Sequence, residues 1–138
     1  MVRTRHRWVG GALLALALAG VGCTNVPVTF GTQGVLSDSA GRALYTFDRD
    51  VPRSGKSVCN GPCAQNWPPL LAGSNPKPGG YWSVIKRDDG SQQWAYEGKP
   101  VYYYAKDQKP GDRAGDGVNN VWHIIKADPP PPPIDGPP

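Results

Sequence analysis

A chain of 138 residues with 18 glycines, 16 prolines and 19% charged side chains has room for one small domain, built from turns and short strands rather than long helices. Its formal net charge of +4 sits at the start, in Arg3, Arg5 and Arg7; taking these three from the 15 lysines and arginines leaves 12 against 11 acids. The rest of the chain therefore lacks the clustered basic face that nucleic-acid binding requires, and no nucleic-acid partner is expected.

In chain order, the first 22 residues read as an export signal: the three arginines, an apolar Leu/Ala run over residues 12–19, then small residues up to Cys23. The run is too short to span a bilayer comfortably. Cys23 directly after Gly20-Val21-Gly22 resembles the lipobox of bacterial lipoproteins, with Gly20 where that pattern usually has leucine. The resemblance implies cleavage before Cys23, a diacylglycerol on its thiol and a further fatty chain of the palmitate type on the new amino terminus. Two or three chains anchor a protein stably. The expected location is the cell envelope, on the outer face of the bacterial cytoplasmic membrane or at the outer membrane. The alternative is an ordinary secreted protein with Cys23 as a spare thiol. Residues 23–33 read as an extended, lipid-anchored tether containing Pro27.

Residues 34–127 read as the folded domain. Val35 and Leu36 begin a strand, Asp38-Ser39-Ala40-Gly41 supplies turn chemistry, and residues 43–47 return. A loop follows. Pro62 opens one helical turn through Ala64, Gln65 and Asn66, which Pro68 and Pro69 stop. Residues 81–104 read as a meander with turns at Asp88-Asp89-Gly90 and Glu97-Gly98-Lys99. Residues 106–120 form another loop and 121–127 a last strand. From residue 128 onward, five consecutive prolines and their neighbours read as a disordered, extended tail.

Two stretches repeat each other. Gly41 precedes Tyr45 by four places, as Gly98 precedes Tyr102; then come Tyr45-x-Phe47-x-x-Asp50 and Tyr102-x-Tyr104-x-x-Asp107, and after a glycine-rich loop Trp67 and Trp122. In a strand Tyr45 and Phe47 share one face, as do Tyr102 and Tyr104, while Tyr103 points the other way and is expected to matter less. A half of about fifty residues cannot bury enough apolar surface alone, so the two copies are expected to pack their aromatic faces on a pseudo-two-fold axis, around one shared core. Asp50 and Asp107 are expected to accept hydrogen bonds from loop amides. The competing reading is an aromatic ligand-binding cleft. The fold class is all-β: a small antiparallel sheet, sandwich or barrel of two pseudo-repeated halves, with at most one short helical turn near Cys63.

These residues, with the run Cys59-x-Gly61-x-Cys63-Ala64-x-x-Trp67-Pro68-Pro69, resemble the secreted-repeat family of bacterial predicted lipoproteins from about Gly34 to Lys126. The resemblance implies an exported location and the repeat boundaries. It implies no reaction, since that family is of unknown function.

With Cys23 lipidated, Cys59 and Cys63 remain as a pair in an oxidising space. A disulfide between them closes so small a loop that it adds only about 2 kcal/mol. The other readings are free thiols, or a redox or copper site that adds His123, the one histidine after the signal. No nucleophile elbow and no phosphate loop is present. Asp107, Asp112 and Asp116 offer oxygens for calcium, but the spacing is not that of an EF-hand and Lys106, Lys109 and Arg113 stand among them. The expected function is thus non-enzymatic: an envelope domain without cofactor, touching the membrane through its lipid and binding an envelope protein or small ligand. The alternatives are a redox or metal accessory protein using Cys59, Cys63 and His123, and a hydrolase working through aspartates.

Overall fold

The computed structural model describes residues 24–127. The export signal, Cys23 and the proline-rich tail lie outside the described residues. The chain runs through strand β1 (Val28–Phe30), a 3-10 turn (Thr32–Gly34), β2 (Leu36–Asp38), β3 (Tyr45–Phe47), helix α1 (Pro62–Asn66), β4 (Trp82–Lys86), β5 (Gln92–Tyr96), β6 (Lys99–Pro100), a second 3-10 turn (Val118–Asn120) and β7 (Trp122–Ile124). All strand pairs are antiparallel, and the one short helix sits beside the Cys59–Cys63 disulfide.

The turns follow from side-chain chemistry. Asp38 Oδ1 accepts the amides of Ala40 (3.0 Å) and Arg42 (2.9 Å), which folds β2 back toward β3. Glu97 and Gly98 both take left-handed backbone (φ 50° and 81°), the requirement of a tight two-residue hairpin, and join β5 to β6. Gly98 is needed twice over, because a Cβ there would lie 2.5 Å from Arg53 Cγ.

The two copies do not fold side by side; they exchange their last strands. Leu36 N–H donates to Ile125 (2.9 Å), Ile125 to Leu44 (2.9 Å) and Leu44 to Leu36 (3.0 Å), so the strand that ends the second copy closes the hairpin of the first. In the other half Trp94 donates to Leu70 (2.9 Å), Leu70 to Val101 (2.9 Å) and Val101 to Trp94 (3.0 Å), so the bridging segment 69–72 that ends the first copy closes the hairpin of the second. Between the halves, Tyr45 and Tyr102 exchange both backbone hydrogen bonds (2.8 and 2.9 Å), and the pseudo-two-fold axis passes through that pair.

The expected single core is two cores. One contains the repeat aromatics Tyr45, Trp67, Tyr102, Tyr104 and Trp122 with Cys59. The other lies on the opposite faces of the same strands and contains Leu36, Leu44, Leu70, Trp94 and Val101. Alternation along β3 and residues 101–104 divides the side chains between them. Tyr103 does point away from Tyr102 and Tyr104, but its face is covered. It packs on the second core, donates to Asp38 Oδ2 (3.1 Å), and carries the Arg42 guanidinium 4.1 Å above its ring.

The segment read as a tether is docked over part of its length. Val26 and Val28 pack on the second core, and β1 pairs with β2 in the register Val28↔Asp38, Phe30↔Leu36. Val26 and Val28 alternate with the exposed Asn25, Pro27 and Thr29, which gives the segment an apolar side to bury. The ordered domain therefore begins before residue 34.

Candidate functional site

The repeat motif builds a reciprocal polar centre beneath the aromatic core. Tyr45 of the first copy donates its hydroxyl to Asp107 of the second (2.5 Å), and Tyr102 of the second donates to Asp50 of the first (2.5 Å). Each acid also accepts one loop amide, as its place at the strand end leads one to expect: Val58 N–H on Asp50 (2.7 Å) and Ala114 N–H on Asp107 (2.9 Å). Both tyrosines are 0% exposed. Burial first, and then the bond to the acid, keeps the Tyr45 hydroxyl protonated far above the ordinary tyrosine range; the same two causes act on Tyr102 through Asp50. Burial also pushes the Asp50 carboxyl up, against the bonds from Tyr102 and Val58.

Around this centre the rings obey the same two-fold relation. Phe47, Trp122, Trp67 and Tyr104 stack in that order, with centroids 4.1, 3.8 and 4.1 Å apart. Reversing the order exchanges the copies. Tyr45 meets Trp67 edge-on at 5.5 Å and Tyr102 meets Trp122 edge-on at 5.2 Å. Gly115 lies against this cluster: a Cβ there would come 2.8 Å from the Trp67 ring and 2.9 Å from Tyr45.

The halves differ behind Tyr102. Its hydroxyl lies 2.6 Å from Ser57 Oγ, which accepts from the buried Arg87 (3.0 Å); Arg87 also donates to Gln93 Oε1 (2.7 Å) and to the Cys59 carbonyl (2.6 Å). Arg87 thereby ties the disulfide loop to β5. The sequence reading singled out neither Arg87, next to the Asp88-Asp89-Gly90 turn, nor Gln93, and both are buried. The available signal was the alternation of β4, which puts Arg87 on the same side as the buried Ile85.

Cys59 and Cys63 form a disulfide, and Trp67 N–H bonds to the Cys63 carbonyl (2.8 Å), so the small loop supports one member of the stack. His123 is elsewhere: its Nε2 lies 2.7 Å from Asp48 Oδ2 on the exposed side of β7. Asp112 accepts the Gln108 and Lys109 amides and Asp116 accepts that of Ile124, so these acids and Asp107 serve separate turns. Among the described residues no three His, Cys, Asp or Glu side chains gather closely enough to hold a metal ion, and no buried side-chain nitrogen or oxygen lacks a partner.

Among the described residues a groove of about 660 Å³ opens to solvent, lined by Pro52, Arg53, Tyr81, Trp82, Glu97 and Lys99 among others. It assembles from three segments far apart in sequence. Arg53 N–H donates to the Gly98 carbonyl (2.8 Å) and Glu97 N–H to that of Tyr81 (2.8 Å), which fixes the segments against each other. A smaller groove of about 250 Å³ shares Glu97 and Lys99 with it and adds His123 and Lys126.

Fold and centre together define a small all-β domain made of two interlocked copies of one motif. The chain belongs to the family described as a secreted repeat of unknown function, which matches it twice, over residues 31–71 and 83–126. Each match ends in one of the exchanged strands. Membership of a secreted family suggests an extracellular or envelope location. Comparison with curated proteins and with solved structures finds no match.

Proposed function

We propose that the protein is an exported domain, held at the outer face of the membrane by lipid on Cys23, that acts there by binding rather than by catalysis. One observation carries the reading: the side chains of both motif copies are spent on each other. The two tyrosine hydroxyls and two carboxylates that repeat most conspicuously are buried and mutually satisfied. A general acid or base has to reach a substrate, and these do not. The open groove over Arg53, Tyr81, Glu97 and Lys99 is what the domain presents for recognition. The redox or copper reading draws no support from the separation of His123 from the disulfide pair.

Replacing the anchor tests the first half of the proposal. Cys23→Ala should move the protein from the membrane fraction to the soluble envelope or the medium; a variant that stays in the membrane after signal cleavage overturns the lipid anchor. For the second half, Asp50→Asn and Asp107→Asn should lower the melting temperature and any ligand capture together. A turnover lost in either variant at unchanged melting overturns the non-catalytic reading.

A further inference from the structure

Resting on the binding role proposed above, we infer that the groove between residues 52–53, 80–83 and 97–99 takes a carboxylated polysaccharide: a chain of sugars with hydroxyls throughout and carboxylates at intervals.

The shape favours a polymer. The two grooves share Glu97 and Lys99 as lining and so adjoin there, the larger reaching Arg53 and Tyr81 and the smaller His123 and Lys126. A compact small molecule is usually enclosed over most of its surface, whereas a groove that stays open along its length suits a strand laid across it. Tyr81 supplies the platform. It is 43% exposed, and Tyr96 holds its ring edge-on at 6.0 Å. Such a ring offers an apolar face for the C–H side of a sugar and a polar tip for its hydroxyls.

The charges set the ligand's chemistry. Arg53, Lys99 and Lys126 line the two grooves against the carboxylate of Glu97 and the Asp48–His123 pair. Among the described residues no carboxylate lies within 4 Å of the Arg53, Lys99 or Lys126 side-chain nitrogens, and with Asp48 counted beside Glu97 three cations face two carboxylates. The excess of cations attracts an anion. Glu97 between them repels closely spaced charges and accepts from hydroxyls. Sparse carboxylates on a hydroxyl-rich chain satisfy both demands, and a dense polyanion satisfies only the first. The wall is also set in advance: Arg53 and Glu97 both hold left-handed backbone (φ 59° and 50°), locked by the bonds to Gly98 and Tyr81. Less ordering is then lost when a ligand arrives.

The test titrates purified full-length protein in detergent with oligogalacturonate, neutral dextran and polyphosphate, followed by calorimetry. Oligogalacturonate should bind, more weakly as salt rises. Tyr81→Ala and Lys99→Gln, both at exposed side chains, should each weaken it about tenfold with melting unchanged. Dextran or polyphosphate binding as well as oligogalacturonate overturns the ligand class. Binding that survives both substitutions overturns the site. If none of the three probes binds, yet a photocrosslinker placed at position 81 captures another envelope component, the polysaccharide inference falls and the broader binding role stands. If position 81 captures nothing while the protein is retained by envelope extract through another face, the groove is not the site.

Discussion

Removing one oxygen from Tyr45 separates what its ring does from what its hydroxyl does. In Tyr45→Phe the ring still meets Trp67 edge-on, but Asp107 keeps a single donor, the Ala114 amide. Losing a bond to a buried charged group costs about 1.5–3 kcal/mol. Tyr45→Ala also empties the aromatic site, and the cost rises to roughly 3–5 kcal/mol, close to the whole stability of a small domain. Tyr102→Phe and Tyr102→Ala should follow the same order; Ser57 loses its contact with the hydroxyl but keeps the bonds from Arg87 and the Cys59 amide. Urea denaturation of the four variants measures this. If the alanine variants are as stable as the parent, the motif is not the core of the fold. Tyr103→Ala, which strand alternation alone places among the mild changes, should also destabilise the domain, through lost packing on the second core and a lost bond to Asp38. Burial first, and then Asp38, pushes the Tyr103 hydroxyl up to about 12, another sign that its face is not solvent.

At the scale of elements, the exchange of last strands decides what can fold alone. Cutting the chain within the exposed loop 73–80 leaves a first fragment whose bridging segment 69–72 has no hairpin to close and a second whose segment 122–127 has none. Each fragment should be unfolded by circular dichroism, and an equimolar mixture should recover the strand signal and the stacked-tryptophan signal. A fragment that folds by itself would falsify the exchange. The hairpins, the helical turn at Pro62 and the last strand were all legible in the sequence, because period-two alternation and Gly/Asp/Pro turns are local signals. The exchange was not legible. Alternation says which side chains share a face; it does not say which hairpin a third strand completes. For the same reason the spacing Tyr-x-x-x-x-Asp was visible as a repeat, while the partner of each tyrosine, in the other copy, was not. The Arg53–Tyr81–Glu97–Lys99 groove left no local signature, since only the fold brings its segments together.

For the whole molecule, the two buried tyrosine–aspartate pairs predict how stability ends at high pH. In the unfolded chain each tyrosine loses its proton near the ordinary value of about 10. In the folded chain burial and the neighbouring carboxylate hold the Tyr45 and Tyr102 protons well above that value, and Tyr103 is raised as well. A group whose folded pKa is raised contributes stability that is complete below the unfolded pKa and is lost as pH climbs toward the folded one. The melting temperature should therefore hold up to about pH 10 and then drop steeply, as the unfolded state releases protons that the folded state retains. The drop belongs to the interlocked architecture, because each tyrosine is pressed against an acid of the other copy and both pairs are lost together. Lysine deprotonation in the same range gives the parent some alkaline sensitivity of its own, so the deciding comparison is with Tyr45→Phe/Tyr102→Phe. That double variant starts less stable at neutral pH but has lost two of the groups that titrate. Its melting temperature should fall less per pH unit above 10 than the parent's, and the two curves should converge. Parallel curves would mean that the two hydroxyls titrate alike in the folded and unfolded chain, and that the reciprocal centre does not hold their protons.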